Sequence, residues 1–195
     1  MVDLSQYKGI VFDMDGTIID SMGTHATAWQ KTCEIFDIPC DGDFIYSLGG
    51  VPTREIVKIL NEKYGLDRDL DQVAQKKREI WLGLDETLTV IDDTFQIMQR
   101  YEGKLKMGVG TGADRENALR MLSETGLLDR LETVVTSSDV TYGKPHGETF
   151  LTAAKNMGLA ANECVVFEDT KIGKQAAEHA GMDCIMVING KVQHP

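Results

Sequence analysis

The chain has 195 residues, 42% of them hydrophobic and 26% charged, and 20 basic against 31 acidic side chains leave a net charge of −11. This length and apolar content exclude a disordered chain and suffice for a core that needs no disulfide or metal staple. The acidic balance excludes nucleic acid and anionic membrane as expected partners, and an anionic substrate would have to be captured by a local cluster of positive groups.

Residues 8–13 form a short apolar run ending in an acid, the pattern of a strand buried on both faces of a parallel sheet. Similar runs are predicted at 105–110, 133–137, 163–168 and 184–188. Helical patterns lie between them: Ala118, Leu119, Met121, Leu122 and Thr125 share a face before Gly126; Phe150, Leu151, Ala154 and Met157 before Gly158; Ile172, Ala176 and Ala180 before Gly181. The alternation predicts an α/β fold, a Rossmann-like doubly wound parallel sheet.

Residues 21–88 break that rhythm. Trp29, Cys33 and Phe36 share one helical face; Ile56, Val57, Leu60 and Tyr64 another; Val73, Lys77, Ile80 and Leu84 a third, with Pro52 suited to a first helical turn. The expected organisation is an α/β core from 1–20 and 89–195 with an all-helical cap, 21–88, inserted after the first strand. An insert there would hang over the crevice where open α/β sheets bind ligands, as a lid.

Cys33, Cys40, Cys164 and Cys184 have no zinc or redox spacing and are expected to be reduced thiols. The first residues lack a signal-peptide pattern, and no apolar run is long enough to cross a bilayer. The expectation is a cytoplasmic protein, a monomer or small homo-oligomer, with no membrane and no nucleic-acid partner.

Four segments carry candidate chemistry. In Val11-Phe12-Asp13-Met14-Asp15-Gly16-Thr17, two aspartates two residues apart leave the end of an extended run on the same side. Charges so close resist ionising together, so either one acid is protonated or a cation sits between them. A calcium loop counted from Asp13 would need Gly and Glu where Ile18 and Thr24 stand. The second segment, Gly108-Val109-Gly110-Thr111-Gly112-Ala113, lies between a strand and a helix, where small residues let backbone N–H groups approach an anion and the Thr111 hydroxyl can donate to it. It also loosely matches a dinucleotide pattern, but no acid is well placed for a ribose. The third is Gly143-Lys144-Pro145, in which Pro145 stiffens the turn and could start the next helix while Lys144 supplies a cation at the sheet edge. The fourth is Val166-Phe167-Glu168-Asp169, a second strand ending in acids. With Asp13 and Asp15, Asp169 and nearby Glu168 make a hard oxygen cage suited to Mg²⁺.

On these four motifs, in this order, the chain from Gly9 to about Asn189 resembles the haloacid dehalogenase superfamily of phosphohydrolases. The insert is similar to the cap of its β-phosphoglucomutase-like subfamily, and the chain as a whole to small sugar phosphatases of the fructose-1-phosphatase type. The resemblance implies that Asp13 is the nucleophile, forming an aspartyl-phosphate, and that Asp15 protonates the leaving alkoxide and then activates water. It implies Mg²⁺ held by Asp13, the Asp15 backbone carbonyl and Asp169, with Glu168 acting through water. Thr111, Gly112 and Lys144 would bind the transferring phosphoryl group. His25, Arg54 and Lys77 match cap-side substrate positions, and Arg54 could fork onto a second phosphate or carboxylate. His146, where relatives carry a small residue, is given no role. Relatives carry a Pro-Gly element where this chain has Thr89-Val90-Ile91-Asp92-Asp93, so the hinge between cap and core is expected to differ. The implied function is a Mg²⁺-dependent sugar-phosphate phosphatase. A phosphohexomutase is the alternative, to be told apart by phosphate release. A non-catalytic binding protein would lack a motif residue, and a nicotinamide oxidoreductase would bind NAD.

Overall fold

The sheet grows from β1, Gly9–Phe12, whose four residues are all buried. Its alternation feeds two cores. Ile10 and Phe12 enter one apolar cluster, while Val11 enters another on the opposite face. Strand β6 (Cys164–Glu168) repeats this, with Val165 and Phe167 on the first face and Cys164 and Val166 on the second. The Phe12 and Phe167 rings meet at 5.3 Å between centroids. Each such fully buried ring contributes about 1.5–3 kcal/mol through removal from water.

The structure, a computed structural model, describes residues 2–84 and 87–193. Positions 85 and 86 of the expected 21–88 insert, and 1, 194 and 195 of the expected core, lie outside the described residues. The chain order is β1, β2 (Ile19–Asp20), α1 (Met22–Phe36), α2 (Gly42–Ser47), α3 (Thr53–Tyr64), α4 (Leu70–Leu82), β3 (Thr89–Val90), α5 (Asp92–Tyr101), β4 (Lys106–Gly110), α6 (Arg115–Glu124), β5 (Thr133–Val135), α7 (Glu148–Asn156), β6, α8 (Lys171–His179), β7 (Asp183–Ile188) and β8 (Lys191–Val192). The main sheet runs β5-β4-β1-β6-β7-β8. All its pairings are parallel except β7 with β8. Side chains of α5 and α6 fill the first cluster, and those of α7 and α8 the second. The result is the expected doubly wound α/β architecture, with helices on both faces of a parallel sheet.

The chain runs outward from β1 through β4 to β5, then crosses back to β6 on the other side of β1. The C-terminal end of β1 is therefore the switch point, flanked by the ends of β4 and β6. Helices α1–α4 stand between β2 and β3, which pair antiparallel through Ile19–Val90 and Asp20–Thr89. These helices enclose an apolar cluster of their own, built on Trp29, Cys33, Val57, Leu60 and Val73. No helix of the described residues is long and apolar enough to cross a membrane.

Some local expectations are corrected. Leu151 is 42% exposed; Ala153 takes the inward position beside Phe150 and Ala154. Pro52 is the residue before α3 rather than within its first turn. Pro145 does not start a helix, because α7 begins at Glu148. The ribbon β2–β3 and the short strand β8 escape pattern reading, since two residues cannot display an alternation.

Candidate active site

Backbone pairing carries each functional group to the switch point. The Asp13 amide donates to the Phe167 carbonyl at 2.9 Å, so the residue after β1 is still tied to β6. The Thr111 amide donates to Val135 O at 2.9 Å and fixes the residue after β4 to β5. Asp13, Thr111, Lys144 and Glu168 are all buried. Lys144 Nζ donates to Asp13 Oδ1 at 2.5 Å and to Glu168 Oε1 at 3.0 Å. It also lies over the Phe150 ring, 4.6 Å from its centroid. Burial disfavours the ammonium, but Asp13 and Glu168 outweigh it and hold Lys144 above its ordinary value, so it stays charged.

Glu168 is anchored at both ends. Its Oε2 accepts from the Thr170 amide at 2.5 Å and the Thr170 hydroxyl at 2.9 Å, at the N-terminus of α8. The Thr170 hydroxyl in turn caps that helix by accepting from Gly173 N at 3.0 Å.

Asp13, Glu168 and Asp169 each bring a carboxylate oxygen within 4.8 Å of the others. Thr17 donates to Asp169 Oδ1 at 3.2 Å, while the buried Asp169 Oδ2 has no partner among the described residues. Gly16, at φ 80°, permits this approach, because a Cβ there would collide with Asp169 Oδ2. Burial raises the Asp169 carboxyl to about 7, and the Glu168 charge adds to that rise. Burial likewise pushes Asp13 well above the carboxylate range, against Lys144 and with Glu168 and Asp169. Three carboxyls crowd one ammonium, two of them resist ionising without a further positive charge, and one oxygen is left without a partner among the described residues. These hard oxygens fit a divalent cation.

Asp15 sits in a different environment. Its Oδ1 accepts from the Ser21 hydroxyl at 2.6 Å and meets His25 Nε2 at 3.0 Å. On the other side of the imidazole, Lys77 Nζ meets Nδ1 at 2.7 Å. An ammonium can only donate, so Nδ1 is the acceptor and the ring proton sits on Nε2, directed at Asp15. Burial raises the Asp15 carboxyl, but His25, Ser21 and Lys77 together pull it below its ordinary value. Burial and the Lys77 charge lower His25, against Asp15, and keep it neutral at pH 7. Burial also brings Lys77 down to about 8. The two aspartates of the first motif are thus pushed in opposite directions by their neighbours.

A cavity of about 850 Å³ opens over these groups, lined among others by Asp13, Asp15, His25, Lys77, Thr111 and Asn117. The Thr111 hydroxyl accepts from Ala113 N at 3.1 Å, which leaves its proton free to donate into the cavity. The loop between α2 and α3 lies directly against the sheet edge: a Cβ on Gly112 would run into the Gly50 carbonyl, and one on Gly50 would come within 3.2 Å of Lys144 Cδ.

Among the residues expected from sequence, Asp13, Lys144, Glu168 and Asp169 meet, and Asp15, His25 and Lys77 form a second group beside them. Thr111 and Gly112 line the same cavity. Arg54 is not brought there. Its side chain is 55% exposed and its Nε pairs with Asp71 at 2.8 Å. Sequence reasoning assigned no role to Ser21, Thr17 or Trp81. Ser21 stands at the helix-cap position of α1 yet makes no cap bond, having turned its hydroxyl to Asp15. Thr17 lay inside the first motif, where its donor role was open to inference. Trp81 was hidden because its contacts are tertiary.

Comparison with known proteins agrees with this fold. The chain is 36% identical over 186 residues to fructose-1-phosphate phosphatase YqaB of Escherichia coli (strain K12), covering 93% of this chain and 97% of that protein. It is 28% identical to β-phosphoglucomutase of Bacillus subtilis (strain 168), covering 94% and 84% of the two chains. A solved structure of a putative β-phosphoglucomutase from Bacteroides vulgatus superposes with a TM-score of 0.84 at 27% identity, over 96% of this chain and 78% of that one. The model of the haloacid dehalogenase-like hydrolases matches residues 10–187. With that match spanning nearly its whole length, the chain belongs to the haloacid dehalogenase-like hydrolase family.

Proposed function

We propose that the protein is a Mg²⁺-dependent phosphatase that hydrolyses a small sugar phosphate through an aspartyl-phosphate on Asp13. The observation that carries this reading is the convergence of Asp13, Lys144, Glu168 and Asp169 at the end of β1, under a cavity that also receives Thr111 and Asp15. The names of the relatives, a fructose-1-phosphate phosphatase and a β-phosphoglucomutase, point to the same substrate class.

Asp13, Asp169 and the Asp15 carbonyl, with Glu168 behind them, would hold the cation, which would offset the repulsion between a carboxylate and a phosphate dianion and draw charge from the phosphoryl oxygens. Lys144 adds a fixed, buried positive charge at the attacking oxygen, and Thr111 with the Gly112 backbone receives the phosphoryl oxygens. Asp13 attacks phosphorus, and Asp15 gives a proton to the leaving sugar oxygen. The arriving phosphate's charge raises Asp15 and favours its protonated form. Once the sugar has left, the donors from Ser21 and His25 favour the carboxylate, the form that takes a proton from water attacking the phosphoaspartate. Splitting the displacement in two makes each step easier.

The helices α1–α4 act as the cap in this reading. They supply His25 and Lys77 and lay Gly50 over the phosphoryl site. The ribbon β2–β3 is the hinge. Hydrolysis is favoured over mutase chemistry by the higher identity to the fructose-1-phosphate phosphatase, 36% against 28% for the β-phosphoglucomutase, and Arg54 turns to Asp71 rather than into the cavity. Arg54→Ala is accordingly expected to leave kcat/KM on a hexose monophosphate within about threefold and stability within about 1 kcal/mol. A tenfold or greater loss would place Arg54 in substrate binding.

The test is a set of hexose phosphates with purified protein and Mg²⁺, following both inorganic phosphate and isomer formation. Stoichiometric phosphate release supports the phosphatase; interconversion without release, dependent on a bisphosphate primer, contradicts it. A chelator should abolish release, and Mg²⁺ should restore it better than Ca²⁺, whose longer bonds suit this tight oxygen cage less well. Activity that persists in chelator would remove the metal from the reaction.

A further inference from the structure

We infer that Trp81 is a positioning residue for the acid–base step, holding the plane of the His25 imidazole so that its Nε2–H stays on Asp15. The inference rests on the role proposed above for Asp15. Trp81 lies on α4 but is only 3% exposed, and it packs in the cluster under the sheet that contains Phe12 and Val109, not in the cluster of the helical insert. Its ring stacks on His25, with centroids 5.5 Å apart and planes 28° from parallel. The Arg120 guanidinium, from α6, also lies over the indole, at 4.8 Å from the ring centroid. Arg120 is itself held by Glu124 at 2.8 and 3.1 Å and by Asn117 Oδ1 at 3.4 Å.

The need for a face contact follows from the geometry of the edge contacts. Among the described residues, the His25 ring is bonded through its two nitrogens alone, to Asp15 and to Lys77. The ring swings by rotation about its Cβ–Cγ bond, which carries Nε2–H off Asp15, and the two edge bonds oppose that swing only through their own distance and angle preferences. A stacked aromatic ring stops that motion. Lys77 and Trp81 are four residues apart on α4, so one helix face presents the edge partner and the face partner together. The indole nitrogen is buried without a partner among the described residues. The side chain therefore contributes its ring face, and the N–H adds no bond that a substitution would break.

The test compares Trp81→Leu and Trp81→Phe on two substrates, a hexose phosphate and an aryl phosphate with a good leaving group. kcat/KM reports steps up to phosphorylation of Asp13, and only the sugar alkoxide needs the Asp15 proton to leave. Trp81→Leu should lower kcat/KM about 10- to 50-fold more on the sugar phosphate than on the aryl phosphate, a fraction of what a general acid supplies. Trp81→Phe should bring that ratio back to within about threefold of the parent. In ¹⁵N spectra the Leu variant should lose the distinct acceptor and N–H resonances of His25, which the Phe variant keeps. Equal losses on both substrates, or Phe as impaired as Leu, would overturn the inference. If Trp81→Leu does not fold, Arg120→Gln takes its place: a selective loss on the sugar phosphate supports the assignment and an unchanged ratio overturns it. Asp15→Asn, measured in parallel, separates the two levels. A split there without one at Trp81 refutes only the positioning role; no split there refutes the acid–base reading and this inference with it.

Discussion

Asp13→Asn is expected to lower turnover of a hexose phosphate by about 10⁴-fold or more while leaving the protein folded, because the amide is no nucleophile but fills the same space. The structure explains why the fold should survive. Lys144 keeps its second partner, Glu168, at 3.0 Å, so no buried ammonium is stranded. The substitution also removes one member of an acidic cluster whose carboxyls burial already pushes upward. Thermal unfolding in chelator should therefore shift by about 1 kcal/mol or less in either direction. Binding of the sugar phosphate should persist, since Thr111, Lys144 and the insert are untouched. Turnover within tenfold of the parent would remove Asp13 from the nucleophile's role. An unfolded variant would instead place the Asp13–Lys144 pair among the groups that hold the structure together.

The second large effect is expected at Lys77, where stability and activity should move in opposite directions. Its ammonium is buried and its pKa is brought to about 8 from the ordinary 10.5. Between those values the unfolded chain binds more protons than the folded one, so stability should rise with pH across that window. Below about 8 the burial penalty is felt in full. Lys77→Met removes the charge in a similar volume and should raise stability at pH 7 by about 1–3 kcal/mol. The same change takes away the donor that fixes the His25 tautomer and biases Asp15. kcat on a hexose phosphate should fall about 10- to 100-fold. The parent should lose activity on the alkaline side as pH passes about 8, and that limb should be missing in the variant. Denaturant unfolding and pH–rate profiles check the two halves separately. A variant that is less stable at pH 7 and keeps the limb would contradict both.

The parts of this site legible in the sequence were those governed by strand ends. Asp13 and Asp169 follow residues whose pairing to neighbouring strands is set by runs of buried apolar residues, so their meeting at the switch point follows from topology. Lys144 and Thr111 could be placed by the same logic. The relation between the two aspartates of the first motif was less accessible. Spacing alone treats them as a like-charged pair, whereas burial beside Lys144 and donation from Ser21 and His25 give them unlike titrations. The insert resisted reading further because its functional contacts are long in sequence. Lys77 reaches His25 across 52 positions; periodicity puts it on the face of Val73, Ile80 and Leu84, but nothing in the local sequence shows what its ammonium meets there. Arg54 looked like a substrate ligand by resemblance, yet Asp71, 17 positions away, engages it. Helical periodicity placed Trp29, Cys33, Val57 and Leu60 inside but could not reveal that Trp81 crosses into the other core.

The claim on which the account turns is that phosphate passes through a carboxylate of this chain. Acid quenching of the enzyme during turnover of a hexose phosphate, followed by peptide mass analysis, tests it most directly. The account predicts one added phosphoryl mass on the peptide bearing Asp13, absent from Asp13→Asn and chased away when water completes the cycle. Full turnover with no phosphorylated peptide at any quench time, or with the phosphoryl group on another residue, would contradict it.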